Sequence, residues 1–378
     1  MRDIVILGST GSIGVQALEV IAANPELFRV VGLSAGGNNL TLLAKQVRDF
    51  SVPIVGVGSG AQELKSALSG VKVIDGAQAS EQIASLTCDL VLNAITGSIG
   101  LAPTLAALAS GNKVALANKE SLVAGGDLVM AYGSEKIIPV DSEHSALFQA
   151  MSAGRASDVS KLILTASGGP FRDRQDLSQV KLADALAHPT WSMGPVVTIN
   201  SATLVNKGLE IIEAHYLFDI AYSKIEAVIH PQSIVHSLVE FKDGSTLAQA
   251  SPPDMKGPIA YALAYPNRVG GAMAPINWNS KQSWDFEPID EKRFPAVQLA
   301  RRAGALGSSV AAIYNAANEV AVAAFMKEEI AFTAIVDTIE KVVDKLSASA
   351  PSRIRDISDV SAIEQDARIY AREVLKKG

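Results

Sequence analysis

The stretch "DIVILGSTGSIGVQALEVI", residues 3–21, decides the fold of the first part of the chain. A short apolar run leads into a turn that contains Gly8, Gly11 and Gly14, and an amphipathic stretch follows. Glycines permit a tight turn, and the N–H groups at a helix start bind phosphate groups. The spacing is GxxGxxG rather than GxGxxG, so two interpretations remain: a dinucleotide site, favoured by the N-terminal position, or a tight turn without a ligand.

The whole chain divides into three parts that differ in their pattern of apolar and polar residues. Up to about residue 140, β-rich runs alternate with amphipathic stretches, which predicts a Rossmann-like, doubly wound parallel sheet of an α/β protein. The central part predicts an α/β domain with a mixed sheet, and "FKDGST" predicts a hairpin turn within it. Beyond residue 291 the apolar spacing is helical throughout, which predicts a terminal helical bundle.

The predicted β-rich runs of the first part are 3–8, 28–36, 53–58, 88–95, 113–118 and 136–140. We predict a cofactor-binding domain over 1–140, a second domain over 141–270 with a flap near 186–196, a linker over 271–290 and a helical domain over 291–378.

Composition excludes several classes of function. The 378 residues carry 33 basic and 39 acidic side chains, net −6, without a basic run that could neutralise a row of phosphates, so we expect no nucleic acid partner. We find no signal-peptide core and no apolar stretch of about 18 residues, which predicts a cytoplasmic protein without a membrane partner. The single cysteine, Cys88, is interpreted as a small core residue rather than a catalytic thiol.

The segment "SAGGNN", residues 34–39, bears on the choice of nucleotide. NAD enzymes usually place an acidic residue here to bind the ribose hydroxyls. This segment has no carboxylate to repel a 2′-phosphate and no cation to attract it, and Asn38 and Asn39 are neutral donors. The segment therefore favours NADP over NAD.

Two segments carry acidic residues that could bind a metal ion. "IIPVDSEHSALFQ", residues 137–149, places Asp141 and Glu143 around one serine, and "NSATLVNKGLEIIEAH", residues 200–215, carries Glu210. Three clustered carboxylates would suit Mg²⁺ or Mn²⁺. In the alternative, "DSE" only begins a helix.

The second of these segments predicts one continuous amphipathic helix. Its polar face would contain Thr203, Asn206, Lys207, Glu210 and Glu213. Hydroxyl, amide and ammonium donors one turn before a carboxylate are the chemistry of a phosphate site beside a metal site. In the alternative, this face is simply solvated.

Two glycine- and turn-rich segments extend the candidate site. "TASGGPFR", residues 165–172, offers Ser167 and backbone donors to an anion, and "LAHPTWSMG", residues 186–194, is interpreted as a lid that excludes water. In the alternative, Trp191 of that lid is docked on its own domain. No remaining histidine has a His or Cys partner at metal-ligand spacing, so we interpret four as structural: His144, His215, His230 and His236.

Six ordered motifs together resemble one family: "GSTGSIG", "LANKESLV" (116–123), "PVDSEHSA", "TASGGPFR", "HPTWSMG" and "NSATLVNKGLE". Across essentially the whole chain, the sequence resembles the 1-deoxy-D-xylulose 5-phosphate reductoisomerase family. The resemblance implies a homodimeric enzyme that uses NADPH and one divalent ion (Mn²⁺, Mg²⁺ or Co²⁺) to make 2-C-methyl-D-erythritol 4-phosphate for isoprenoid precursors, with 141–270 as the catalytic and dimerisation domain.

The resemblance also implies roles for individual residues. Catalytic residues would be Lys119 and the metal ligands Asp141, Glu143 and Glu210. Lys119 and Ser142 would contact the substrate backbone, along with Glu143 and Glu210, while its phosphate would be held by Ser167, Ser201, Asn206 and Lys207. The flap would contribute His188, Trp191 and Met193. Cofactor contacts would come from Thr10, Gly11, Ser12, Ile13, Gly36, Gly37, Asn38, Asn118, Glu120 and Gly194. Relatives often carry a lysine at position 37, where this chain has glycine.

Two other functions stay in competition. One is a metal-independent NADP dehydrogenase acting on another phosphorylated substrate. The other is a regulator that senses NADPH without turnover, which leaves the second polar cluster unexplained.

Overall fold

The computed structural model describes residues 1–377 and begins with a seven-stranded parallel sheet. Its strands are β1 (Arg2–Leu7), β2 (Phe28–Ala35), β3 (Ile54–Val57), β4 (Lys72–Asp75), β5 (Leu90–Asn93), β6 (Lys113–Leu116) and β7 (Ile137–Pro139). The helices of this part are α1 (Ser12–Ala22), α2 (Leu40–Asp49), α3 (Ala61–Ala67), α4 (Ala79–Ala84), α5 (Leu101–Ala109), α6 (Glu120–Met130) and α7 (Ser142–Met151).

The strand order is β4-β3-β2-β1-β5-β6-β7, so the chain winds outward from β1 in both directions. This confirms the predicted doubly wound sheet, whose ligands bind at the carboxyl ends of the strands near the reversal beside β1. The sequence prediction missed β4. Its four residues form an edge strand without a fully buried side chain, so they lack the apolar run that marks the inner strands.

A five-stranded mixed sheet follows, with the order β11-β10-β8-β9-β12. Its strands are β8 (Val159–Ala166), β9 (Ile225–Ile229), β10 (Val235–Phe241), β11 (Thr246–Ala250) and β12 (Glu287–Pro288). The predicted hairpin at "FKDGST" is confirmed, because β10 and β11 pair in antiparallel fashion and the turn between them contains Gly244 with a φ of +84°.

The remaining elements are helices. They are α8 (Leu182–Leu186), α9 (Pro195–Ala202), α10 (Val205–Phe218), α11 (Lys256–Ala264), α12 (Ala296–Leu306), α13 (Ser308–Met326), α14 (Ala334–Leu346) and α15 (Ile357–Lys377). The last four form the predicted helical end, where α13 packs against both α14 and α15.

The chain forms two compact units that are each built from several segments. Unit 1 contains residues 1–121, 129–145 and 254–274, and unit 2 contains the rest of the described chain. Residues 254–274, predicted to lie in the second domain up to 270 and in the linker from 271, group with unit 1 because α11 packs against α1 and Lys256 pairs with Glu19 at 2.6 Å. The predicted boundaries at 140, 270 and 290 stay predictions about domains.

The predicted linker over 271–290 is attached to the second sheet. Its β12 pairs with β9, and the buried His230 donates from Nδ1 to the carbonyl of Asp285 at 2.8 Å. Among the described residues, α13 is the one helix long and apolar enough to cross a membrane, and 78% of its apolar window is buried inside the protein, as in a core helix.

Candidate active site

The glycine loop after β1 adopts the conformation that its sequence predicts. Gly8 has a φ of +75°, and a Cβ on Gly14 would lie 2.5 Å from the carbonyl oxygen of Gly8, so α1 approaches the loop as closely as only glycine allows. Gly11 is the N-cap of α1, and no side chain caps this helix end. The backbone around Thr10, Gly11, Ser12 and Ile13 therefore forms a cradle that suits a pyrophosphate.

A buried glutamine from α2 holds this loop, and the sequence analysis did not identify it. The Ser9 hydroxyl donates to Gln46 Oε1 at 2.9 Å, and Gln46 Nε2 donates to the Ser9 carbonyl at 2.8 Å. Both side chains are buried. No sequence motif marks a pair 37 residues apart, so only the fold reveals it.

Lys119 and Asp141 meet at the same edge of the sheet as the glycine loop. They follow the neighbouring strands β6 and β7, and Lys119 Nζ lies 2.9 Å from Asp141 Oδ2 with both side chains largely buried. Burial by itself would raise the pKa of the Asp141 carboxyl, but the charge of Lys119 and a hydrogen bond from His144 hold it well below its usual value. Asp141 is therefore an ionised carboxylate that can bind a cation.

"DSE" begins a helix, and its side chains also lie at the candidate site. Beginning a helix therefore does not exclude binding a metal ion. The backbone N–H of Glu143 donates to Asp141 Oδ1 at 3.2 Å, which caps α7, and the Ser142 hydroxyl donates to the Glu143 carboxylate. His144 is fully buried with Nδ1 at 3.1 Å from Asp141 Oδ1. Because a carboxylate only accepts, Nδ1 carries the proton and orients Asp141, a contact that the sequence analysis missed.

Asn118 fixes the loop that follows β5. Its Nδ2 lies 2.6 and 2.9 Å from the carbonyl oxygens of Ile95 and Gly97 and 2.9 Å from Glu120 Oε2, so its two N–H groups are shared among three acceptors. Its carbonyl oxygen accepts from the N–H and hydroxyl of Ser121. All the hydrogen-bonding groups of the side chain are thus used within the protein. Asn118, which we expect near the cofactor, therefore shapes the loop there.

The segment 200–215 is not one helix, contrary to the sequence prediction. It breaks between α9 and α10 at Leu204, a non-glycine residue with a φ of +59°. Thr203 faces this break, where its single O–H is shared between the carbonyls of Ile199 and Asn200, at 3.1 and 3.2 Å, and its oxygen accepts from the N–H of Val205. Thr203 therefore belongs to the helix junction, and its assignment to a polar face of α10 is wrong.

The polar face of α10 is buried, which rules out the solvated alternative. The exposed fractions of Lys207, Glu210 and Glu213 are 3%, 1% and 0%. Lys207 Nζ forms an ion pair with Glu210, and the Asn206 amide donates to the same carboxylate. Buried charges cost free energy unless they are paired, so this cluster indicates a built polar site within unit 2.

Ser167, at the end of β8, contacts the flap segment through His188. The side chains lie 3.0 Å apart, from Ser167 Oγ to His188 Nε2, while Nδ1 accepts from the backbone N–H groups of Thr190 and Trp191 at 3.1 and 2.9 Å. Nε2 therefore carries the proton in the neutral ring and donates to Ser167. Burial lowers the pKa of His188, which favours this neutral form.

Trp191 is half-buried, and its ring lies 6.0 Å from that of His236 on β10. The alternative that Trp191 docks on its own domain therefore describes the structure, and motion of the flap stays a prediction. His236 is buried, its Nε2 donates to the carbonyl of Ser251 at 3.1 Å, and burial lowers its pKa to about 4. Nothing in the sequence around His236, which we interpret as structural, signals this contact with the flap.

The other predicted residues fall into place on individual elements. Ser201 lies half-buried on α9, Met193 is half-buried in the flap, and Gly194 is the exposed N-cap of α9. Cys88 precedes β5 instead of lying within it and is half-buried; burial raises its pKa to about 11, which keeps the thiol protonated.

Family models match three parts of the chain. Residues 4–126 match the model described as 1-deoxy-D-xylulose 5-phosphate reductoisomerase, residues 137–218 match the C-terminal domain of that enzyme, and residues 250–370 match a DXP reductoisomerase C-terminal domain.

Curated relatives are similar over nearly their full length. The 1-deoxy-D-xylulose 5-phosphate reductoisomerase of Kitasatospora griseola is 53% identical, with 98% of this chain and 99% of the relative covered. The enzyme of the same name from Mycobacterium marinum is 55% identical, with 99% and 93% covered.

Solved structures of the same description superpose on the chain. A DOX-P reductoisomerase in complex with NADPH, fosmidomycin and magnesium gives a TM-score of 0.94 at 36% identity, with 100% of this chain and 98% of that chain covered. The Zymomonas mobilis enzyme in complex with NADPH gives 0.92 at 39% identity, with 99% of each chain covered.

Proposed function

The chain belongs to the 1-deoxy-D-xylulose 5-phosphate reductoisomerase family, and from this premise we propose which of its residues carry the reaction. It is an NADPH-dependent reductoisomerase that converts 1-deoxy-D-xylulose 5-phosphate to 2-C-methyl-D-erythritol 4-phosphate and uses a divalent metal ion. Neither the metal-independent dehydrogenase nor the non-catalytic regulator is favoured.

One observation carries the assignment: the glycine cradle and the Lys119–Asp141 pair occupy one edge of one sheet. A cofactor bound along that edge, with its phosphates at Thr10–Ile13 and its adenosine ribose near Gly36–Asn38, runs toward the strand ends that carry Lys119 and Asp141. We place the nicotinamide near Asn118, Glu120 and Gly194.

The metal ligands that we propose are Asp141, Glu143 and Glu210. Their donor set fits the ion, because carboxylate oxygens are what Mg²⁺ and Mn²⁺ prefer and the low pKa of Asp141 keeps that ligand ionised. When bound, a divalent ion polarises a carbonyl and makes an adjacent hydroxyl more acidic, which is what a carbon-skeleton rearrangement requires. The chain contributes Lys119 and Ser142, which we propose contact the substrate backbone.

The phosphate of the substrate is assigned to donors of unit 2. Ser167, Ser201, Asn206 and Lys207 offer hydroxyl, amide and ammonium groups, and His188 offers Nε2–H. The ring of His188 accepts two N–H groups of the flap at Nδ1, so a phosphate that binds at Nε2 is coupled to the flap by a single imidazole. Closure of residues 186–196, including Trp191 and Met193, would then exclude water from the hydride transfer.

We also propose that Mn²⁺ and Co²⁺ replace Mg²⁺, that the enzyme is a homodimer and that it is cytoplasmic. Sedimentation of the purified chain tests the second statement: a mass near 39.6 kDa would contradict it.

The decisive experiment is NADPH oxidation with 1-deoxyxylulose 5-phosphate before and after chelation. We expect activity to disappear on chelation and to return when Mg²⁺ or Mn²⁺ is added back. Activity that survives complete removal of the metal would support the plain dehydrogenase, and NADPH binding without any oxidation would support the regulator.

A further inference from the structure

The loops after β2 and β3 lie at one end of the cofactor cradle, and the proposed function assigns no role to the loop after β3. The N–H groups of Gly8 and Ser9 both donate to the carbonyl of Ser34, at 2.9 and 3.0 Å, so the glycine loop lies against the carboxyl end of β2. The N–H of Gly58 donates to the carbonyl of Ala35 at 3.0 Å, which brings the loop after β3 to the same place. In dinucleotide-binding sheets the adenosine ribose lies at the end of the second strand.

Gly37 in this region cannot carry a side chain. It has a φ of +110°, and a Cβ built on it would lie 2.4 Å from the hydroxyl oxygen and 2.5 Å from the carbonyl oxygen of Ser59. The Ser59 hydroxyl also donates to the carbonyl of Gly36 at 3.3 Å. The Ser59 hydroxyl thus occupies the space that a side chain at position 37 would need. Ser59 itself is exposed.

The two loops contain no charged residue over 34–39 and 56–60. The side chain of Asn39 is used as the N-cap of α2, because its Oδ1 accepts from the N–H of Leu42 at 3.0 Å. The exposed polar side chains that remain in these two segments are Asn38 and Ser59. A 2′-phosphate here would meet neutral donors and no carboxylate.

We propose that Ser59 is the residue that determines the preference for NADPH: its hydroxyl turns from the carbonyl of Gly36 and donates to the 2′-phosphate, together with the Asn38 amide, in place of a basic side chain at position 37. This rests on the proposed position of NADPH in the cradle. NADH lacks the 2′-phosphate, so the contribution of Ser59 appears only in the binding of NADPH.

The test is equilibrium binding of NADPH and of NADH to the full chain without substrate, measured by the fluorescence of the nucleotide. We expect Ser59→Ala to raise the Kd of NADPH about 10-fold and to leave that of NADH unchanged, since a hydrogen bond to a charged group is lost. Ser59→Asp places a carboxylate against the 2′-phosphate, and we expect the Kd of NADPH to rise about 100-fold or more.

Matched controls are Ser66→Ala and Ser66→Asp, because Ser66 is an exposed serine on α3 whose hydroxyl only donates to the carbonyl of Gln62. Neither control should change the ratio of the two Kd values. An equal rise in both Kd values in Ser59→Ala would assign Ser59 to loop structure and overturn the proposal, as would unchanged binding of NADPH in both Ser59 variants. A wild-type chain that does not bind NADPH would instead reject the proposed function itself.

Discussion

Replacing Glu210 by glutamine is the most direct test of the metal site, because the change keeps the shape of the side chain and removes its charge. Glu210 is 1% exposed and is held by Asn206 and Lys207. Removal of one partner of a buried ion pair costs about 3–5 kcal/mol. We therefore expect a loss of about 3 kcal/mol in the free energy of unfolding.

The readout that isolates metal binding is the stabilisation that the ion confers. A ligand at 100 times its Kd adds about 2.7 kcal/mol to the free energy of unfolding. We expect wild-type protein to gain this with Mn²⁺ in urea unfolding, and Glu210→Gln to gain almost nothing. NADPH binding should be retained, and kcat should fall at least about 100-fold.

The matched control is Glu226→Gln, which breaks the Lys161–Glu226 pair on the surface of unit 2, 3.0 Å long with Glu226 52% exposed. An exposed pair contributes about 1 kcal/mol or less, and the response to Mn²⁺ should stay that of wild type. Wild-type stabilisation by Mn²⁺ in Glu210→Gln, or wild-type turnover, would show that Glu210 is not a ligand.

Three further predictions follow from single contacts. Lys119→Met removes the charge that lowers the pKa of Asp141, so the acidic limb of the pH profile of kcat/KM should move to higher pH; an unchanged limb contradicts the assignment. Gln46→Met removes both hydrogen bonds to Ser9, and nucleotide titration should show weaker binding of NADPH and NADH alike, whereas a selective loss would be unexpected. His236 is neutral when folded with a pKa of about 4 against 6.5 when unfolded, so its contribution to stability is complete above about pH 6.5 and is lost as the pH falls toward 4. His236→Gln should remove up to about 3 kcal/mol of that pH dependence in urea unfolding, and an identical slope in both proteins would contradict it.

Local patterns in the sequence predicted the elements whose environment is uniform. The inner strands of the first sheet read as apolar runs because both faces are covered, and the hairpin around Gly244 carries its own turn signal. The edge strand β4 was missed because its side chains are half exposed. The break at Leu204 was missed because nothing in "SATLVNK" marks a left-handed residue, and only the packed junction holds it there.

The candidate site was predicted in its residue types and missed in its supporting contacts. Acidic and amide side chains indicate metal and phosphate chemistry from the sequence alone. The burial of Glu210 and Lys207 depends instead on what packs over α10, which the sequence does not show. The contact of His144 with Asp141 has a faint signal, since the two are three residues apart at a helix start. The contacts of Gln46 and His236 join positions far apart in the sequence, so pattern alone could not find them.

The return of α11 to unit 1 has a consequence for biosynthesis. Helix α1 ends at Ala22, whereas the helix that packs on it ends at Ala264 and is therefore synthesised much later. At translation rates of about 5–20 residues per second, the surface of α1 that packs against α11 lacks this contact for roughly ten to fifty seconds. The nascent segment that contains α1 therefore lacks its contact with α11, including the Glu19–Lys256 ion pair, until synthesis has passed that helix.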